Sequence, residues 1–134
     1  MHGAGLYSAD SMFELSVQRT FSASHAIVMR GEREPMHGHD WNLELVVTAD
    51  GLDDDGLLCD FHAVQAAVDD VIRPFQSRNL NETPPFDRTN PTAELVARHI
   101  GDTVARALPS GVRVSRVRLT EAPGCAAHYH PRHH

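Results

Sequence analysis

From residue 13 to 25 the apolar side chains fall on odd positions, Phe13, Leu15, Val17, Phe21 and Ala23, with Arg19 as the exception. The same parity returns at Trp41, Leu43, Leu45, Val47 and Ala49. Alternate residues of a strand leave on one face, so this spacing predicts two half-buried strands over 13–25 and 41–49. Between them, residues 26–35 hold Gly31, Pro35 and four charged side chains and read as a loop. The acidic, glycine-bounded stretch 50–56 reads as a solvated turn, because it lacks the ligand order of an EF-hand.

The period then changes. Phe61, Val64, Val68, Val71, Ile72 and Phe75 recur at three- and four-residue steps behind Asp60, which predicts a helix capped by Asp60 and ended at Pro74. Residues 76–91 form a long polar, proline-rich connection, a kind more often functional than idle. Asn90 and Pro91 suggest the cap and first position of a second helix with Val96, Ile100, Val104, Ala107 and Leu108 inward, closed by Pro109-Ser110-Gly111. A third strand is expected over 112–121. Its apolar parity switches between Val112, Val114 and Val117, Leu119, which predicts a bulge near Ser115. A short last strand falls at about 126–130. The expected fold is α+β, a four-stranded antiparallel sheet with two helices on one face, whose open edges invite oligomerisation.

A length of 134 residues, 41% hydrophobic and 22% charged, fits one ordinary globular domain, placed at 12–130 between a loose leader (1–11) and a His-rich tail (131–134). Twelve basic against eighteen acidic residues, with no basic cluster, argue against nucleic acid as a partner. No apolar run approaches the roughly 20 residues of a membrane span and no signal-peptide pattern opens the chain, so a cytoplasmic protein is expected. Cys59 and Cys125 lack CxxC spacing; Cys59 reads as a small buried residue and Cys125 as an exposed loop thiol.

Against this background three histidines stand out. His37-Gly38-His39 places two imidazoles on one side of a strand, in the inward parity of Trp41 and Leu43, and His25 ends the first strand in the same inward register. If the two strands pair, three imidazoles converge. Three neutral histidines with a fourth position open are what a catalytic zinc requires, although imidazole ligands suit copper, iron and nickel as well. The histidines at the end, His128, His130, His133 and His134, follow or flank Pro131 near a terminus and read as adventitious metal ligands at most. Glu121 shares the parity of Val117 and Leu119, so its carboxylate is expected to face inward, where an unpaired charge is costly.

The motif FSASH ending in His25, the HGH triplet, Asp60-Phe61 opening one helix, Pro91-Thr92-Ala93-Glu94 opening the next and Glu121 near the end together resemble the 6-pyruvoyl-tetrahydropterin and 6-carboxytetrahydropterin synthase family, from about residue 13 onward. The resemblance implies a tunnelling fold (T-fold), homo-oligomers (trimers or hexamers) whose trimers close β-barrels, Zn2+ on His25, His37 and His39, and a small-molecule pterin substrate, 7,8-dihydroneopterin triphosphate or a close analogue. It further implies that Glu121 anchors the pterin through a bidentate pair, assisted by Thr92 and Glu94. Glu94 equally suits a first-turn acid complementing the helix dipole.

Two departures bear on the chemistry. Residues 31–36 hold no cysteine where better-known members place a catalytic one, and Gln76-Ser77 occupies the position of an Asp-His pair. Arg33-Glu34-Pro35-Met36-His37-Gly38-His39 resembles the subgroup in which a glutamate replaces the cysteine and the side chain is cleaved to 6-hydroxymethyl-dihydropterin, a folate precursor. Glu34 is then the catalytic base, with Glu32 as the competing candidate. The alternative is a diverged pterin- or purine-binding relative without catalysis.

Overall fold

The computed structural model describes residues 12–132, so the leader at 1–11 and the last two histidines of the tail lie outside the described residues. The chain runs β1 (Glu14–His25), β2 (Val28–Met29), β3 (Glu32–Arg33), β4 (His37–Thr48), α1 (Phe61–Ile72), β5 (Arg78–Asn79), α2 (Ala93–Ala107), β6 (Arg113–Ala122) and β7 (Cys125–Tyr129). The main sheet has the order β5-β1-β4-β6-β7, and β2 and β3 form a separate hairpin. The four long strands are antiparallel as expected. β5 adds a two-residue parallel pair against Ala23 and Ser24, which makes the sheet mixed and five-stranded. Such short elements carry no periodicity, so neither β5 nor the β2–β3 hairpin was legible in the pattern.

Both helices cover the odd-numbered face. Val17, Phe21, Trp41, Leu43, Leu45 and Val47 from the sheet share one core with Val64, Val68 and Val71 of α1 and Val96, Ile100 and Val104 of α2. Each such side chain contributes about 1.5–3 kcal/mol by leaving water. The pattern over-reaches at element ends: Phe13 and Phe61 are about half exposed and Ala107 is exposed, because the core does not extend past the first or last turn. On the inner side Ala93, Ala97 and Gly101 of α2 are buried as well. Cys59 is half-buried and Cys125 exposed.

Register between β1 and β4 is the property that matters for the site. Phe21 lies opposite Trp41, and the two rings stack with centroids 5.9 Å apart. An aromatic pair of this kind contributes about 0.5–1.5 kcal/mol beyond burial, and a one-residue slip of either strand would turn its ring to the other face and part the pair. The inward Arg19 leaves the core edge to donate from Nε to Asp69 of α1 at 2.8 Å. With the register so fixed, His25 falls opposite His37 and Ala23 opposite His39.

The bulge expected near Ser115 is present: Val46 pairs with Arg116 and Val47 with Val114, leaving Ser115 as the extra residue. A second irregularity lies between Thr120 and Ala122 against β7, so Glu121 faces no residue in that ladder. The α2 cap differs from expectation. Thr92, not Asn90, is the N-cap, its Oγ1 accepting from Leu95 N–H at 3.1 Å. The Asn90 amide is held by the Val28 backbone instead, which moves the helix start two residues on.

Close approach of α2 to the sheet depends on Gly101. A Cβ there would meet Val117 Cγ2 and Tyr129 Cδ2 at 3.0 Å. Val117 is fully buried, and Tyr129 is tied by its hydroxyl donating to Asp102 at 2.6 Å, so neither neighbour yields easily. Gly101→Ala is therefore expected to destabilise, because overpacking costs about 1–3 kcal/mol and exceeds or cancels the roughly 1 kcal/mol gain in helix propensity. Thermal melting followed by circular dichroism checks this; a raised midpoint would refute it.

Candidate metal centre

β1 and β4 bring three imidazoles to one end of the sheet. His25 is fully buried, His39 is largely covered and His37 is half exposed. Trp41, two residues along the same face, supports two of them, stacking on His39 with centroids 4.4 Å apart and meeting His25 edge-on at 4.8 Å. The Trp41 indole N–H donates to Ala23 O at 3.2 Å and so holds the ring in place.

Backbone carbonyls fix the tautomers. The Nδ1 atoms of His25, His39 and His37 face Pro91 O at 2.8 Å, Asp40 O at 3.2 Å and Pro35 O at 3.4 Å. A carbonyl oxygen only accepts, so Nδ1 is the donor in each contact, and a ring carrying that one proton presents its lone pair at Nε2. Those lone pairs converge: His25 Nε2 lies 3.1 Å from His37 Nε2 and 3.4 Å from His39 Nε2. Burial, the dominant influence, pushes the His25 imidazole below its ordinary pKa, and the Pro91 bond and the Glu121 charge oppose it less strongly. A ring in this tautomer can ligate a metal through Nε2.

Glu121 completes the group. Its Oε1 is 3.1 Å from His25 Nε2, 3.7 Å from His37 Nε2 and 3.9 Å from His39 Nε2. The four ligand atoms all lie within 4.8 Å of one another. Three nitrogen lone pairs and a carboxylate oxygen repel one another unless a cation sits among them, so the donor set fits a divalent metal, and its N/O composition suits zinc. Sequence parity had turned Glu121 inward but gave no sign that it would join the histidines; the ladder with β7 is irregular beside it.

The other expected site residues are placed less tightly. Glu34 is half-buried three residues before His37, and its N–H donates to Ile27 O at 2.8 Å, whereas Glu32 is exposed on the β2–β3 hairpin. Thr92 is half-buried beside Pro91 with its hydroxyl engaged as the α2 cap, and Glu94 is exposed in the first turn of that helix. Gln76 and Ser77 serve the edge of β1: Gln76 Oε1 accepts from Ser22 N–H at 3.3 Å, and Ser77 N–H donates to Ser22 O at 2.6 Å. These two residues therefore act as partners of β1. His128 lies on β7, away from the cluster set. Pro91, whose carbonyl orients His25, was not foreseen, since a backbone acceptor leaves no signal in residue type.

Comparison with known proteins agrees with this geometry. The family model described as 6-pyruvoyl tetrahydropterin synthase matches residues 14–132. The chain is 35% identical to a dihydroneopterin monophosphate aldolase of Pyrococcus furiosus, over 76% of this chain and 83% of that protein. It is 32% identical to the 6-carboxy-5,6,7,8-tetrahydropterin synthase of Bacillus subtilis, over 69% and 65%. Among solved structures, the 6-pyruvoyl tetrahydropterin synthase of Caenorhabditis elegans superposes with a TM-score of 0.79 at 19% identity, covering 91% of this chain and 97% of that one. A catalytic-residue variant of the Plasmodium vivax synthase, with glutamate replaced by alanine, gives 0.73 at 18% identity over 91% and 99%. With the fold, the histidine register and these matches in agreement, the chain belongs to the 6-pyruvoyl tetrahydropterin synthase family and has its T-fold.

Proposed function

We propose that this protein is a zinc-dependent lyase that cleaves the side chain of a phosphorylated 7,8-dihydroneopterin, the monophosphate or the triphosphate. The observation that carries the proposal is the convergence of His25, His37, His39 and Glu121. The named activity of the Pyrococcus furiosus relative, an aldolase, supports carbon–carbon cleavage over the other reactions of the family. The half-buried place of Glu34, three residues before His37, supports it as the base over the exposed Glu32.

His25, His37 and His39 would hold the zinc, which as a bound Lewis acid stabilises negative charge on the hydroxyls of the substrate side chain. Glu121, whose carboxylate stands beside the histidines in the free protein, turns from them when substrate binds to accept the N–H donors of the pterin edge, which brings the side chain at C6 beside the histidines. Glu34 removes the proton from the C2′ hydroxyl. The oxygen electron pair forms the C2′ carbonyl as the C1′–C2′ bond breaks, and the electrons left at C1′ enter the pterin C6–N5 system until a proton is returned. The products are 6-hydroxymethyl-7,8-dihydropterin and a phosphorylated glycolaldehyde. Thr92 and Glu94 flank the substrate from the α2 terminus. Assembly through the free edges of β7 and of the first half of β1 gives the homo-oligomer.

Zinc-loaded protein incubated separately with the monophosphate and the triphosphate, followed by mass spectrometry, is expected to yield 6-hydroxymethyl-7,8-dihydropterin from at least one. Absence of product at stoichiometric enzyme would refute the proposal and favour a binding protein, consistent with Gln76-Ser77 in place of the Asp-His pair.

A further inference from the structure

Apart from the Pro91 carbonyl, the connection at 76–91 has no part in the chemistry above, yet its side chains grip the segment that follows His25. The Asn81 Oδ1 accepts from Ala26 N–H at 2.8 Å, and its Nδ2 donates to Ala26 O at 2.8 Å. Asn90 repeats the arrangement on Val28, accepting from its N–H at 2.9 Å and donating to its carbonyl at 2.9 Å. Between them Ile27 O accepts from Glu34 N–H at 2.8 Å. A primary amide that meets both the N–H and the C=O of one residue replaces a neighbouring strand, so two asparagines and one peptide fix three consecutive residues. Pro91, next to Asn90, then supplies the carbonyl that orients the His25 ring.

The connection is also packed on the core, apart from these amide contacts. Leu80 is fully buried and Phe86 nearly so, with the Phe86 ring 5.7 Å from Phe75 and 5.6 Å from His99. Asn79 Oδ1 accepts from Asn81 N–H at 2.9 Å, which holds the turn carrying the first amide.

We infer that Asn81 and Asn90 are positioning residues of the metal centre: through Ala26 and Val28 they set the direction of His25 Nε2 and hold the start of the loop that carries Glu34. This inference rests on the metal assignment made above. Groups that orient a ligand without touching the metal typically alter affinity 10- to 100-fold.

The test is competition titration with Zn2+, together with the visible absorption of the Co2+-substituted protein, on wild type, Asn81→Ala, Asn90→Ala and Phe86→Leu. Both asparagine variants are expected to bind Zn2+ about 10- to 100-fold more weakly and to shift the Co2+ bands. Phe86→Leu trims core packing under the same connection while leaving both amide pairs in place, and is expected to lower the melting temperature while leaving metal affinity unchanged. Should an alanine variant not fold, Asn90→Asp, which keeps an acceptor for Val28 N–H but cannot donate to Val28 O, is expected to move in the same direction. A wild type without zinc affinity overturns the metal assignment and this inference with it. A tight wild-type site with equally tight asparagine variants, or an equal loss in Phe86→Leu, overturns this inference alone.

Discussion

Replacing His25 with alanine is expected to empty the metal centre while the protein still folds. This imidazole is the most buried of the three and the only one within 3.4 Å of both others. Its removal leaves a half-exposed His37, His39 and a carboxylate around an open space, and leaves the Pro91 carbonyl without its donor. The stability cost of that orphaned acceptor is about 1–3 kcal/mol, which a domain of ordinary stability survives. Zinc affinity should fall by more than the roughly 100-fold upper range seen when only a supporting residue is lost. Metal analysis after dialysis, with circular dichroism as the folding check, reads the result. Truncation after Tyr129, which removes His130, His133 and His134, is expected to leave zinc stoichiometry unchanged; loss of metal there would move the site to the tail.

Glu34→Gln is expected to reduce kcat for side-chain cleavage by about 10²- to 10⁴-fold, the usual contribution of a positioned base. Zinc content and KM should change little, since the amide keeps the shape of the carboxylate and loses only its ability to take a proton. Glu32→Gln is the internal comparison. Glu32 is exposed on β3 opposite Met29, whereas Glu34 is half-buried where the chain turns toward His37. If the Glu32 variant fails and the Glu34 variant does not, the assignment is reversed. If both retain full turnover, neither carboxylate is the base.

The parts of this molecule visible in its sequence are those where one physical rule acts alone. Alternation placed β1, β4 and β6 and turned His25, His37 and His39 inward; the 3.6-residue period placed α1 and α2; a parity switch located the Ser115 bulge. The parts that were hidden depend on partners distant in the chain. Asn90 has the residue type of a helix cap, but an amide satisfied by Val28 cannot also cap, so Thr92 takes that place. Glu121 faces inward as its parity predicts, but that its carboxylate reaches the histidine nitrogens depends on how β1, β4 and β6 end together, which residue spacing does not encode. Asn81 acts wholly through Ala26, 55 positions earlier.

The additional residue at Ser115 also has a role beyond its own neighbourhood. It works as a phase offset in β6: Val114 before it and Val117 after it are both fully buried although one number is even and the other odd. Everything downstream inherits that offset. In a chain shortened by this single serine, Leu119 would emerge among the arginines of the polar side, and Glu121 would open away from the imidazoles onto the opposite surface of the sheet.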